Sequence, residues 1–150
     1  ISPGVAYTIT SLLQSVVEHG TGKKVRSLNR PVAGKTGTTN NYVDAWFMGY
    51  TPELVTGVWV GKDKDEPLGK NETGSRAAIP IWLQYMQKAL INKPIINFQA
   101  STDIQYLRIQ PETGKPASFQ EPGSKFELFS QDHLPENEKS FPKNIPEDTF

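Results

Sequence analysis

Cysteine is absent from the 150 residues, which excludes a disulfide framework, a thiolate nucleophile and any cysteine-held metal, and leaves the redox compartment unread. Histidine occurs only as His19 and His133, too few and too far apart in sequence to suggest a metal cluster. Neither charge is in excess, since 16 lysines and arginines face 16 aspartates and glutamates. That balance removes the usual reason to expect a nucleic acid or an acidic membrane surface as partner. No apolar run approaches the roughly 20 residues of a membrane span, and Ile1 opens no signal-peptide pattern. An initiator methionine is also missing; a chain that begins Ile1-Ser2-Pro3-Gly4-Val5 reads as a fragment of a longer product.

What is present is unevenly spread. The chain is long enough for one domain with a real core. Its long apolar runs lie mostly before Ile109, and many prolines fall after it. Residues 1–60 carry five basic groups (Lys23, Lys24, Arg26, Arg30, Lys35) against three acidic ones (Glu18, Asp44, Glu53). Residues 131–150 carry the opposite imbalance, and with Pro135, Pro142 and Pro146 they read as a polar, disordered tail.

Ser2 and Pro3 signal a helix start, and Val5, Ile9, Leu12, Leu13 and Val16 recur at helical spacing, predicting a helix whose apolar face packs in the core and which stops at Gly20. His19 suits the negative end of that helix. The basic segment from Lys23 to Arg30 reads as a solvated loop ending at Pro31. Three antiparallel strands follow: Val32 to Thr39, Asp44 to Thr51 and Leu54 to Gly61, the last two joined by a Thr51-Pro52-Glu53 hairpin. Lys62 to Gly74 reads as an exposed loop. Ser75 is placed to cap a second helix to about Leu90, with Ile79, Trp82, Leu83, Met86 and Leu90 on one face and Pro80 in the first turn. That aromatic stripe is core rather than a cofactor box, and no cofactor is expected. Ile104 to Gln110 and Phe126 to Phe129 make a further strand pair around the Pro111-Glu112-Thr113-Gly114 turn.

Within the first strand, Gly34-Lys35-Thr36 admits three readings. A phosphate loop needs glycine where Asn29 stands, and a helix where the Trp46-Phe47-Met48 strand follows. A purely structural strand is the default for an isolated Lys-Thr-Gly. The third reading is one wall of an acyl-transfer site, in which each residue type has a task. A lysine ammonium attracts a substrate carboxylate, threonine hydroxyls hydrogen-bond it, glycine lets ligand approach the backbone, and an edge amide stabilises an oxyanion. Alternation puts Lys35 and Gly37 on one face and Thr36 and Thr38 on the other, so one ligand meets all four only along the strand edge.

Lys35-Thr36-Gly37-Thr38 resembles the third signature of penicillin-binding proteins and serine β-lactamases. Its surroundings are more specific. Arg30 to Thr39, Asp44 to Pro52, Gly57 to Gly61, Glu72-Thr73-Gly74, Ala77-Ala78 and Pro80-Ile81-Trp82 together resemble the transpeptidase domain of class A, bifunctional penicillin-binding proteins. Ile1-Ser2-Pro3 and Gly20-Thr21-Gly22 precede them in order. The resemblance covers about Ile1 to Gly114. It implies an α+β fold of the penicillin-binding protein and serine β-lactamase type, with antiparallel strands flanked by helices.

On that resemblance, residues 1–98 are the C-terminal portion of a transpeptidase domain, 99–130 a short β-rich extension and 131–150 the tail. It implies a serine that attacks a peptide D-Ala-D-Ala bond and passes the acyl group to an amine of a neighbouring stem peptide, with β-lactams as trapped mimics. Lys35 would then position the donor carboxylate and tune proton transfer. Thr36 and Thr38 would bind that carboxylate, the Thr38 amide would be an oxyanion donor, and Gly37 the close-approach position. Asn40, Asn41 and Tyr42 would rim the cleft.

The nucleophile motif Ser-x-x-Lys, expected well upstream of Lys35, is not in the chain. Ser140-Phe141-Pro142-Lys143 matches its letters in the wrong place, and Ser27-Leu28-Asn29 mimics the second motif too close to Lys35. The expected partners are therefore stem peptides, β-lactams and the N-terminal part of the same enzyme, with its serine segment and glycosyltransferase domain. Without that part the chain should not catalyse, and it should expose sheet surface that its two helices leave uncovered. A β-lactamase or penicillin sensor would share the Lys-Thr-Gly strand but not the run to Trp82; a degenerate transpeptidase half acting as a binding or assembly module is the non-enzymatic alternative. The family works outside the cytoplasmic membrane on an N-terminal anchor helix, which implies an extracytoplasmic location.

Overall fold

In the computed structural model, residues 1–135 are described. They fall into two compact units, one of Ile9–Gln99 and one of Ile1–Thr8 with the chain from Ala100 onward. Helix α1, Pro3–Glu18, gives residues to both. Its start is capped as its sequence predicts, with the Val5 N–H donating to Ser2 Oγ at 3.3 Å. At its other end the Gly20 and Gly22 N–H groups both donate to the Val16 carbonyl, at 3.0 and 3.1 Å. The apolar stripe departs from expectation: Val5, Ile9 and Leu12 are exposed, and Val17 is the helix residue that joins the core. The periodicity marks a face made for burial, but no described element covers that part of it.

The larger unit holds an antiparallel sheet of β1 (Ala33–Thr38), β2 (Ala45–Tyr50) and β3 (Val55–Val60), in that order. Lys35 stands opposite Met48, Gly37 opposite Trp46, and Trp46 opposite Trp59. Buried Thr51 closes the β2–β3 turn: its N–H donates to the Leu54 carbonyl at 3.0 Å and its hydroxyl accepts from the Glu53 and Leu54 amides. One face of the sheet packs on α2 (Ile79–Ala89), whose Ile79, Trp82 and Met86 are buried with Phe47, Val25 and Val32. The Phe47 and Trp82 rings meet edge to face, 5.2 Å apart at 86°, and Trp82 Nε1 donates to the Thr56 carbonyl at 3.0 Å. The opposite face leaves Trp46, Met48 and Trp59 exposed, the uncovered sheet surface that the sequence leads one to expect.

Two local features correct the sequence reading. Helix α2 begins at Ile79, and the residues before it, Gly74–Ala78, wind as a single π turn with Ser75 capping nothing. The Gly74 amide is engaged by Thr38 Oγ1 at 3.1 Å, which ties this segment to the sheet before the helix starts. Arg30 is not part of a solvated loop. Its side chain is only 12% exposed, and its guanidinium donates to the carbonyls of Leu90, Lys93 and Pro94 while lying 3.8 Å from Glu53. Carbonyls at a helix C-terminus lack intrahelical donors, and a fixed cation there meets both that need and the dipole.

The smaller unit pairs β4 (Ile104–Ile109) with β5 (Lys125–Ser130), antiparallel, Ile104 opposite Ser130 and Ile109 opposite Lys125. Tyr7 and Tyr106 share a hydroxyl hydrogen bond of 2.6 Å. Arg108 donates to Ser124 Oγ at 2.8 Å and lies over the rings of Phe119 and Phe126. Of the expected disordered tail, Gln131–His133 is instead a 3-10 turn started by Ser130, whose hydroxyl accepts from the Asp132 N–H and offers that local order. Residues 136–150, with Ser140 and Lys143, lie outside the described residues.

Candidate functional site

Strand β1 is an edge strand, and its hydrogen-bond phase decides what that edge offers. The Thr39 N–H donates to the Asp44 carbonyl at 3.1 Å. In an antiparallel ladder the pairs then alternate, so Gly37 and Lys35 turn their amides and carbonyls toward β2, while Gly34, Thr36 and Thr38 turn theirs to the open edge. Among the described residues the Thr38 N–H thus stands on the edge without a strand partner, open to an acceptor.

The side chains are set by packing on either side of the strand. Lys35 and Gly37 lie on the face of Met48 and Trp46; a Cβ at Gly37 would stand 3.1 Å from the Trp46 Cβ, so glycine keeps that crossing close. Lys35 is exposed, and its Nζ curls over the edge to donate to the outward Thr36 carbonyl at 2.7 Å. Thr36 and Thr38 lie on the other face. Thr38 Oγ1 accepts from the Gly74 N–H, which leaves the hydroxyl hydrogen uncommitted. Thr36 Oγ1 lies 2.7 Å from Thr21 Oγ1. A hydroxyl pair, an ammonium and an edge amide therefore converge on one strip of backbone, the set that a carboxylate-bearing, carbonyl-bearing ligand needs.

The turn after β1 is held from within. Thr39 Oγ1 accepts from the Asp44 N–H at 2.8 Å and donates to Asp44 Oδ2 at 3.2 Å, and Asp44 Oδ1 accepts from Trp59 Nε1 at 2.8 Å. Asn40 is exposed at the start of this turn. Asn41 and Tyr42 follow at φ 59° and 58°, the left-handed region, and the Tyr42 carbonyl accepts from the Leu68 N–H at 2.9 Å. A cleft of about 590 Å³ opens between Asn41, Tyr42 and Val43 and the loop residues Asp65, Pro67 and Lys70.

The structure thus brings Lys35, Thr36, Gly37 and Thr38 to one edge and sets Asn40 beside it. The sequence reading missed three contributors: Thr21, Gly74 and the Asp44–Trp59 pair. The signals were a lone threonine between Gly20 and Gly22, and a Glu72-Thr73-Gly74 turn far away in sequence. Ser27 is no part of the edge; its hydroxyl donates to the Lys24 carbonyl at 2.9 Å within a 3-10 turn.

Comparison with known proteins places the chain in a family. Residues 1–87 match the family model described as the penicillin binding protein transpeptidase domain. The chain is similar to penicillin-binding protein 1A of Pseudomonas aeruginosa, 44% identical over 143 residues, which is 95% of this chain and 17% of that protein. It is similar to penicillin-binding protein 1A of Aquifex aeolicus, 45% identical over 101 residues, 67% of this chain and 14% of that protein. The crystal structure of penicillin-binding protein 1A from Haemophilus influenzae superposes with a TM-score of 0.78 at 32% identity, over 87% of this chain and 20% of that one. The chain thus spans about a sixth of the curated relatives it matches. Its α+β fold and these likenesses agree: the chain belongs to the penicillin-binding protein transpeptidase family, among the class A members.

Proposed function

We propose that this chain supplies the donor-binding edge of a peptidoglycan D,D-transpeptidase. The observation that supports the reading is the open β1 edge, which carries the Thr38 amide, the Thr36 and Thr38 hydroxyls and the Lys35 ammonium on one short stretch of strand. A stem peptide ending in D-Ala-D-Ala lies along that edge as an added strand, its terminal carboxylate on Thr36 and Thr38 and its scissile carbonyl on the Thr38 N–H. Lys35 leaves the Thr36 carbonyl to meet the carboxylate, and Gly37 keeps the strand free of side-chain bulk. Asn41 and Tyr42 line the cleft at the turn after β1, and Asn40 opens that turn.

The serine that attacks this carbonyl comes from another part of the enzyme, since no Ser-x-x-Lys precedes Lys35 here. The acyl-serine then transfers to an amine of a second stem peptide, and β-lactams occupy the donor position. The partners are the stem peptides and the segment bearing the serine, and the site faces the extracytoplasmic side. None of the described helices is long and apolar enough to cross a membrane.

The test is labelling of the enzyme that contains this chain by a fluorescent penicillin. Parent enzyme is expected to label, and Lys35→Ala to label more slowly by a factor on the order of 10². Equal labelling of the two, with both folded, would remove Lys35 from the site.

A further inference from the structure

We infer that Thr21 is a positioning residue of the carboxylate site, an inference that rests on the transpeptidase reading above. Thr36 and Thr38 each need a free hydroxyl hydrogen to bond a carboxylate, and each Oγ1 needs another group to hold it. Thr38 has its holder in the Gly74 amide, 3.1 Å away. Thr36 has Thr21, at 2.7 Å. When Thr21 donates to Thr36 Oγ1, the Thr36 hydrogen turns outward to the ligand. When Thr36 donates to Thr21, its hydrogen is spent and the carboxylate meets a lone pair. An anion on the edge therefore selects the first arrangement, and the two hydroxyls form a chain ending on the carboxylate.

Thr21 is built into its place. It lies between two glycines whose N–H groups both close on the Val16 carbonyl. A Cβ at Gly20 would stand 2.9 Å from that carbonyl oxygen, and one at Gly22 would stand 3.2 Å from the Val17 Cα, so the loop is pressed onto the helix end. Nearby, Lys24 Nζ donates to the Ser75 carbonyl at 3.2 Å, one residue beyond the glycine that holds Thr38. This cross-link joins the two segments that position the threonines.

The test uses the enzyme containing this chain, its penicillin acylation rate, and the same penicillin as its methyl ester, which lacks the carboxylate. Thr21→Val is expected to slow acylation by the free acid about fivefold, the size of one hydrogen bond between neutral groups, and to leave the ester rate unchanged. Thr21→Ser should restore the parent rate, and Thr21→Val should add nothing in a Thr36→Val background. Parent-like acylation of Thr21→Val by the free acid, or an equal loss with acid and ester, would overturn the inference while leaving the transpeptidase reading intact. A folded parent enzyme that no penicillin acylates would overturn both.

Discussion

Arg30 shows how much one side chain can carry away from the chemistry. It joins the loop before β1 to the end of α2 through three backbone carbonyls, and it sits within reach of Glu53. Arg30→Met keeps the apolar stem and removes the donors, so it is expected to cost about 1–3 kcal/mol, read as a lower urea midpoint. A variant as stable as the parent would mean those carbonyls are equally well met by water. Tyr106 gives a pH signature in the smaller unit. Burial first, then the hydrogen bond and charge interaction with Tyr7, raise its phenol above its ordinary value of 10. The folded chain keeps that proton while the unfolded chain loses it, so the stability it contributes is complete below about pH 10 and declines as pH rises above it. Unfolding midpoints measured from pH 8 to 11 should fall more steeply for the parent than for Tyr106→Phe; identical slopes would refute the assignment.

At the scale of elements, the sheet and α2 form the frame that holds the edge. Trp82 fills the space between them, fully buried against Phe47, with its indole nitrogen bonded to β3. Trp82→Ala should lower stability by about 3–5 kcal/mol in denaturant unfolding and reduce penicillin labelling with it; a loss below about 1 kcal/mol would show that the frame does not depend on this contact. The strands and α2 were legible because their periods are clean: alternation around Trp46-Phe47-Met48, a hairpin at Pro52, and Ile79, Trp82, Met86 and Leu90 on one helical stripe. Helix α1 was legible as a helix, but the fate of its apolar face was not. A pattern says which residues suit burial and not whether a partner is present to bury them, and Val5, Ile9 and Leu12 remain exposed. The contributions of Arg30, Thr21 and Gly74 were hidden for a different reason. Each acts through contacts between segments distant in the chain, which no local spacing encodes.

For the whole molecule, the family was readable from motifs that are local runs, and the fold of the Haemophilus influenzae relative agrees with it. The roles proposed for Lys35, Thr36 and Thr38 are argued from chemistry and edge geometry, and the central claim of the proposal is that the ligand lies along that edge. The direct measurement is a crystal structure of the penicillin-acylated enzyme containing this chain. The account predicts the ligand carboxylate within about 2.6–3.2 Å of the Thr36 and Thr38 hydroxyls, and the acyl carbonyl oxygen at the same distance from the Thr38 N–H. Lys35 Nζ should have left the Thr36 carbonyl for the carboxylate. An acyl group whose carboxylate touches none of these residues, with Lys35 still bonded to Thr36, would contradict it.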